Sequence, residues 1–183
     1  SFDDIVINAA EWYAANGIEL VAGDPVIRID REHRQVIARS GRVEGYDRLL
    51  IATGSDPFVI PVPGKDMPGV VTFRDLDDVD RMLAAAERGG PNNERPRAVV
   101  IGGGLLGLEA AHGLSLRGMQ VSVIHLMPTL MERQLDDVAG RLLKAELERR
   151  GQASLNEADT EAIVEKEGDV AEARPKDGRE IPA

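Results

Sequence analysis

The 183-residue chain carries 32 Asp and Glu against 22 Lys and Arg, a net charge of −10 that disfavours binding to the phosphate backbone of nucleic acids. It contains no cysteine, so these residues hold no disulfide, no thiol redox couple and no cysteine-bound zinc or iron–sulfur centre. Because no apolar run approaches the roughly 20 residues that cross a bilayer and the first residues lack a signal-peptide pattern, we expect a cytoplasmic globular protein without a membrane partner.

The first 54 residues predict a helix followed by short strands. The helix is expected over 4–16 and ends at Gly17, because glycine suits the left-handed backbone just past a helix end. Runs typical of β-strands follow at residues 18–21, 26–29, 35–38 and 49–52. The middle two flank a polar turn and predict a hairpin. The last run is continuously apolar, which predicts a strand buried on both faces.

A segment rich in proline and glycine comes next. It contains Pro57, Pro61, Pro63, Gly64, Pro68 and Gly69. Proline fixes its own backbone and restricts the residue before it, so this segment is expected to be extended rather than helical. We interpret it as a crossing between two domains, over 1–69 and 70–183. A plain surface loop is the alternative.

The remaining sequence alternates helices and strands. A helix capped by Asp75 is expected to end in a loop at 89–93, and a later helix over 137–150 is capped by Asp136. Between them the pattern predicts a strand at 98–101, a helix at 105–116 and a strand at 120–126. A strand, a tight turn, a helix and a second strand in this order predict a right-handed parallel unit.

A weak internal repeat relates residues 16–54 to residues 150–183. Each copy runs through a glycine, a short β-type run, a hairpin and a turn that ends in Gly-Arg. The second copy stops where the first enters its apolar run. This pattern favours a duplicated domain plan whose second copy lacks its last strand, and therefore a fragment. Two unrelated hairpins are the alternative.

The glycine-rich segment after residue 101 has the G-x-G-x-x-G spacing between an apolar strand and an apolar helix, the context in which this motif binds dinucleotides. Gly102 permits the tight turn, Gly104 lets a pyrophosphate approach the backbone, and Gly107 lets the helix pack closely on the strand. Free amides at the helix N-terminus bind the pyrophosphate. The predicted site comprises Gly102, Gly103, Gly104, Leu105, Leu106 and Gly107. A glycine-rich turn without a ligand is the alternative.

The end of the next strand bears on the choice between NAD and NADP. A carboxylate there would bind the adenosine ribose and repel a 2′-phosphate. This chain has His125 at that point, which tolerates either cofactor, and Arg133 lies near enough in sequence to meet a 2′-phosphate. NADP is therefore allowed but not required. The alternative is that His125 merely ends a strand.

With these motifs the chain resembles the pyridine nucleotide–disulfide oxidoreductase superfamily, in the cysteine-free branch that includes ferredoxin and rubredoxin reductases. The segment 46–57, with Ala52-Thr53-Gly54 before a proline-rich crossing, carries this resemblance beside the glycine-rich motif. Within the superfamily, the segments 103–114 and 125–136 are similar to the large subunits of assimilatory NAD(P)H nitrite reductases.

The resemblance implies an α/β, Rossmann-like FAD/NAD(P)-binding fold with a parallel sheet and a β-meander, on a truncated plan of two dinucleotide domains. Residues 1–69 would be part of the FAD-binding domain and the crossing, and residues 70–183 the NAD(P)-binding domain without its last strand. It also implies FAD contacts at Val26, Ala52, Thr53 and Gly54, and places Glu109 beside the nicotinamide.

The implied function is a module for nitrate assimilation that passes hydride from NAD(P)H to FAD. Electrons then go to a downstream domain or subunit whose siroheme and 4Fe-4S centre, outside this chain, reduce nitrite to ammonia. The cofactors carry this chemistry, so no catalytic side chain and no metal ligand are expected. A homodimer is compatible with this plan. The alternatives are an NAD(P)H-dependent ferredoxin or rubredoxin reductase, and a nucleotide-binding module without activity.

No glycine-rich turn precedes residue 55, and FAD needs a helix N-terminus for its own pyrophosphate. The 183 residues alone are therefore expected to be inactive and to purify without flavin.

Overall fold

The computed structural model describes residues 6–89, 94–166 and 168–183, and the chain divides into two compact units, Ser1–Gly54 and Ser55–Ala183. The helices are α1 (Ala10–Ala15), α2 (Leu76–Arg88), α3 (Leu105–Leu116) and α4 (Asp137–Arg149). The strands are β1 (Val26–Asp30), β2 (Gln35–Ala38), β3 (Val43–Gly45), β4 (Arg97–Ile101), β5 (Gln120–Ile124), β6 (Ala153–Leu155), β7 (Thr160–Lys166), β8 (Asp169–Pro175) and β9 (Ile181–Pro182). None of the helices in the described ranges is both long and apolar enough to span a membrane.

The first unit contains α1 and an antiparallel sheet in the order β1-β2-β3, which confirms the predicted hairpin. The helix ends before Gly17, whose φ of 69° is the left-handed conformation that was predicted. It begins at Ala10 rather than at residue 4, although residues 4 and 5 lie outside the described part of the chain. The β-branched Val6 and Ile7 disfavour an earlier turn, and Ala9 has no side chain that could cap the helix.

Two predicted strands of the first unit are wrong. Residues 18–21 and 49–52 have an irregular backbone, and the side chains of Leu50 and Ile51 are 88% and 63% exposed. A strand is held by ladder hydrogen bonds to a neighbouring strand. Among the described residues, none of the paired strands includes either run. Both runs therefore leave apolar side chains at the surface, and residues 49–52 are not a strand buried on both faces.

The second unit is built around a parallel sheet in the order β4-β5-β6. Along the chain, α3 connects β4 to β5 and α4 connects β5 to β6. This arrangement confirms the predicted α/β class, although β5 ends two residues earlier than expected. The core contains Ala111, Leu114, Met119, Val121 and Val123, and Met82 and Ala86 of α2 pack against it. Burial of each Leu or Val contributes about 1.5–3 kcal/mol. This core holds the start of α3 at the carboxyl end of β4.

Both long surface helices begin at the predicted aspartates. Asp75 accepts a hydrogen bond from the backbone N–H of Asp78 at the start of α2, and Asp136 accepts one from Ala139 at the start of α4. These contacts satisfy amides that have no partner within the helix. Helix α2 ends at Arg88 and is followed by Gly89, and the rest of the loop predicted at 89–93 lies outside the described residues.

Replacing Asp136 with Ala removes the acceptor that lies 2.8 Å from the Ala139 amide. We expect the free energy of unfolding to fall by about 1 kcal/mol, as measured by urea denaturation. Asp136→Asn is the matched control, because asparagine caps helices as well as aspartate does. Equal losses in the two variants would contradict the capping role.

The third sheet is antiparallel, in the order β7-β8-β9, and the proline-rich segment packs against it. The N–H of Ile163 donates to the carbonyl of Pro63 at 2.9 Å. A Cβ on Gly64 would overlap the carbonyl oxygen of Ile163, and its φ of 86° also favours glycine. Residues 55–75 contain no helix, as predicted. The assignment of a different cofactor to residues 1–69 and 70–183 stays a prediction.

The predicted repeat has a structural counterpart. A three-stranded antiparallel meander follows residue 25 in the first unit, and another follows residue 159 in the second. The two copies differ in the short run before the meander, because the second copy forms β6 whereas the equivalent residues 18–21 are irregular. Two meanders of one topology support the duplicated plan over unrelated hairpins.

Candidate functional site

The glycine-rich turn joins the end of β4 to the start of α3. Gly102 has a φ of 126°, which favours glycine, and its N–H donates to the carbonyl of Ile124 at 2.8 Å. Gly104 is the N-cap of α3, and no side chain caps the helix there. The first amides of α3 therefore lack partners within the helix and form the positive end of its dipole. Such an arrangement binds anions, and phosphates in particular.

Close packing requires a glycine at one of two positions in this turn but not at the other. A Cβ on Gly107 would overlap the carbonyl oxygen of Gly102 and contact Val100 at 3.5 Å, so the fold itself requires a glycine there. A Cβ on Gly104 would meet nothing within 4 Å, and the φ of −85° and ψ of −173° are open to any residue. Packing therefore does not require a glycine at position 104, and the fold leaves open space before the first turn of α3.

Gly103 faces the protein interior. Its N–H donates to Nδ1 of His125 at 3.0 Å, and its carbonyl accepts from the N–H of Met131 at 3.0 Å. A Cβ on this residue would lie 2.5 Å from Cδ2 of Leu130 and 2.7 Å from Cγ of His125. The segment 125–132 therefore lies beneath the glycine-rich turn and is packed directly against it.

His125 is buried, with 8% of its surface exposed, and both ring nitrogens have partners. Nδ1 accepts from Gly103, so the ring proton of the neutral imidazole lies on Nε2, which is 3.1 Å from a carboxylate oxygen of Glu132. A hydrogen bond from its own backbone N–H, and then that from His125, hold the pKa of Glu132 below its usual value. Contact between His125 and a ribose would require the ring to leave one of these bonds.

Arg133 lies beside this pair, at the surface. Its side chain is 86% exposed, and its Nε is 4.0 Å from the second carboxylate oxygen of Glu132. The sequence did not identify Glu132, Met131 or Leu130 as parts of the site. Their contacts depend on a reversal of the chain at Met131, whose φ of 57° is unusual for a residue with a side chain.

Glu109 is exposed on α3 and lines a cavity of about 310 Å³ between the starts of α2 and α3. The cavity is also lined by Phe73, Arg74, Asp75, Leu76, Val79 and Leu106. Leu105 and Leu106 are exposed on the first turn of α3. The structure thus brings Glu109 and Leu106 to one concave surface, one turn beyond the open space at Gly104.

The residues predicted to contact FAD lie in the first unit. Val26 is exposed on β1, and Ala52, Thr53 and Gly54 are exposed on the irregular segment that was expected to be a strand end. A positive φ of 73° at Gly54 ends this segment. Their contact with a flavin stays a prediction.

Comparison with known proteins finds a family profile and individual proteins that are similar to this chain. The sequence profile of the pyridine nucleotide-disulphide oxidoreductase family matches residues 6–183. The chain is 52% identical over 182 residues to nitrite reductase (NAD(P)H) of Bacillus subtilis, covering 98% of this chain and 22% of that protein. It is 46% identical over 163 residues to the assimilatory nitrate reductase electron transfer subunit of the same organism, covering 89% and 20%.

A ferredoxin reductase from Rhodopseudomonas palustris has a similar structure, with a TM-score of 0.90 and 25% identity over 98% of this chain and 43% of that one. The chain thus spans about a fifth of the two sequence relatives and less than half of this structural one. These similarities confirm the predicted resemblance and fold class. This chain belongs to the pyridine nucleotide-disulphide oxidoreductase family.

Proposed function

We propose that the second unit binds NADH or NADPH, with the pyrophosphate at the N-terminus of α3. The observation that carries this proposal is Gly104, which the fold does not require to be glycine and which faces open space. Because the N–H of Gly103 is bonded to His125, the donors proposed for the pyrophosphate are the amides of Gly104, Leu105 and Leu106. Backbone approach at Gly104 and the dipole of α3 both favour a diphosphate there.

The nicotinamide end is proposed to lie toward Glu109. A dinucleotide whose pyrophosphate sits at the first turn of α3 extends in two directions, and the cavity lined by Glu109 and Leu106 adjoins that turn. Its volume of about 310 Å³ lies within the usual size of a pocket for part of a small ligand. Glu109 is a positioning group in this proposal, since hydride moves between cofactors without a general acid or base.

The wider role we propose is that of a flavoprotein module of a nitrite reductase large subunit, which oxidises NAD(P)H and passes electrons toward a siroheme and a 4Fe-4S centre elsewhere. The 52% identity to nitrite reductase (NAD(P)H) supports this role. FAD would supply the hydride acceptor. Its proposed contacts in this chain are Val26, Ala52, Thr53 and Gly54.

The described part of the first unit does not form a complete FAD site. Its helix α1 has six residues and begins at Ala9-Ala10, without a glycine-rich turn that could receive a pyrophosphate. The exposed Val26 and the segment 52–54 offer contacts to an adenine or to part of the flavin tail only.

A second candidate keeps the enzyme class and changes the electron acceptor. The ferredoxin reductase from Rhodopseudomonas palustris has the same fold over 98% of this chain, which supports transfer to a small iron–sulfur protein. Reduction of added nitrite, compared with reduction of added ferredoxin or rubredoxin, separates the two candidates when it is measured on the full-length protein that contains these residues. A nucleotide-binding module without activity would reduce none of them.

Equilibrium titration of the purified protein with NADH and NADPH, followed by nucleotide fluorescence, tests the binding proposal. We expect dissociation constants between about 1 μM and 1 mM, the usual range of Michaelis constants. Adenosine diphosphate is expected to compete, because it carries the same diphosphate, whereas adenosine at equal concentration is not. Failure of both nucleotides to bind at millimolar concentration would remove the assignment.

The choice between the two nucleotides is expected to depend on Arg133. If its exposed guanidinium meets the 2′-phosphate, Arg133→Ala weakens NADPH binding about fivefold, as loss of a surface charge pair worth about 1 kcal/mol would. The affinity for NADH stays unchanged. Arg141→Ala, at an exposed position of α4, is the matched control and leaves both affinities unchanged. An equal loss for NADH and NADPH would contradict this role.

A further inference from the structure

We propose that His125 and Glu132 form a positioning pair that holds the glycine-rich turn in its nucleotide-binding shape, with His125 acting as a neutral imidazole whose proton is on Nε2. The two residues form this pair without a bound nucleotide. Only its expected effect on nucleotide affinity rests on the proposed function.

The peptide unit that joins Gly103 to Gly104 is held through its carbonyl group. The carbonyl of Gly103 accepts from the N–H of Met131 at 3.0 Å and so points toward the segment beneath the turn. In a planar trans peptide the carbonyl and the following N–H point in opposite directions. The N–H of Gly104 is therefore directed away from Met131, toward the open side of the turn. Because the carbonyl of Gly103 is fixed, the N–H of Gly104 is directed toward the proposed pyrophosphate site.

The preceding peptide unit, whose N–H belongs to Gly103, is held by His125. Nδ1 of His125 accepts this N–H at 3.0 Å in a buried environment. Gly103 is thereby held at both its N–H and its carbonyl, and each bond comes from the segment 125–132. Without the acceptor, a buried donor would be unsatisfied, which costs more than the loss of an exposed hydrogen bond. The turn would then relax to satisfy that donor elsewhere.

The tautomer of His125 explains why the ring presents an acceptor to Gly103. An imidazole accepts at Nδ1 only when that nitrogen carries no proton. Glu132 lies 3.1 Å from Nε2 with 27% of its side chain exposed, and its carboxylate is a charged acceptor. A carboxylate at Nε2 fixes the proton on that nitrogen, because the other tautomer would present a bare nitrogen to a negative charge. Glu132 thus sets the tautomer that Gly103 requires.

The shape of the side chain at position 125 does not by itself account for the hydrogen bond to Gly103. Leu130 is completely buried and fills the space beside Gly103, so an apolar side chain at 125 would preserve the packing but not the acceptor. Isosteric substitutions separate the two contributions. The side-chain oxygen of asparagine can take the position of Nδ1 and accept from an N–H, whereas leucine cannot.

Titration of the purified protein and its variants with NADH tests the pair. We expect His125→Leu to bind NADH about fivefold more weakly, and His125→Asn to stay within about twofold of the wild type. His112→Leu, at an exposed position of α3, is the matched control and is expected to change nothing. Wild-type affinity in His125→Leu, or equal losses in the Asn and Leu variants, would overturn the proposal.

The tautomer of His125 gives a second readout that needs neither a variant nor a nucleotide. Long-range ¹H–¹⁵N NMR of the wild-type protein is expected to show an unprotonated Nδ1 and a protonated Nε2 at neutral pH. A proton on Nδ1, in the neutral or the charged ring, would overturn the proposal. The expected tautomer in a protein that binds no NADH and no NADPH would support the pair and remove the proposed function, so the two failures are distinguishable.

Discussion

Gly104→Val is expected to weaken the binding of NADH and NADPH at least tenfold, equivalent to about 1.4 kcal/mol, with only a small loss of thermal stability. The added side chain enters the open space before the first turn of α3, where the pyrophosphate is proposed to approach the backbone. The packing does not oppose the new Cβ, because no atom lies within 4 Å of it. The helix loses only the preference for glycine over valine at its N-cap, which is about 1 kcal/mol or less. The backbone at φ −85° and ψ −173° also accepts a β-branched residue.

The measurement combines nucleotide titration with thermal unfolding of the same samples. Gly104→Ala serves as the graded control, since a single methyl group obstructs less of the approach and should give a smaller loss. We expect the midpoint of unfolding to fall by no more than about 4 °C in both variants, as a loss of about 1 kcal/mol at the N-cap would give in a protein of this size. A stable Gly104→Val protein with wild-type affinity would show that the pyrophosphate does not lie at this turn.

The elements of the second unit could be predicted because local signals mark them. Helix α3 has the bounds that were expected, and the aspartates before α2 and α4 cap them as their positions indicated. The same reasoning failed for residues 49–52. An apolar run indicates that burial would be favourable, but a strand also needs a neighbour to complete its ladder. The sequence of the run carries no information about whether that neighbour pairs with it.

One part of the candidate site could likewise be predicted from the sequence, and another part could not. The spacing of Gly102, Gly104 and Gly107 indicated the turn, since Gly102 and Gly107 meet local requirements of the backbone and Gly104 meets a requirement of the proposed ligand. The direction of His125 could not be predicted from its place at the end of β5. It depends on the chain reversal at Met131, which brings Glu132 back to the ring. Contacts made by such a reversal have no periodic or local signature.

Gly107→Ala is expected to lower the free energy of unfolding by about 2 kcal/mol and to weaken nucleotide binding as a consequence. The new Cβ would overlap the carbonyl oxygen of Gly102, which is backbone and cannot move aside by changing a rotamer. Either α3 moves away from β4 or the turn at Gly102 changes its shape. Both responses disturb the amides proposed to bind the pyrophosphate.

Gly113→Ala isolates this effect, because it makes the same substitution on the same helix. A Cβ at Gly113 meets nothing within 4 Å, and the position is exposed. Alanine favours a helix over glycine by about 0.8–1 kcal/mol, so this variant should be slightly more stable than the wild type. Urea denaturation of the two variants is therefore expected to give changes of opposite sign. If both substitutions stabilise the protein, the close approach of α3 to Gly102 is absent and Gly107 is not a packing requirement of the nucleotide turn.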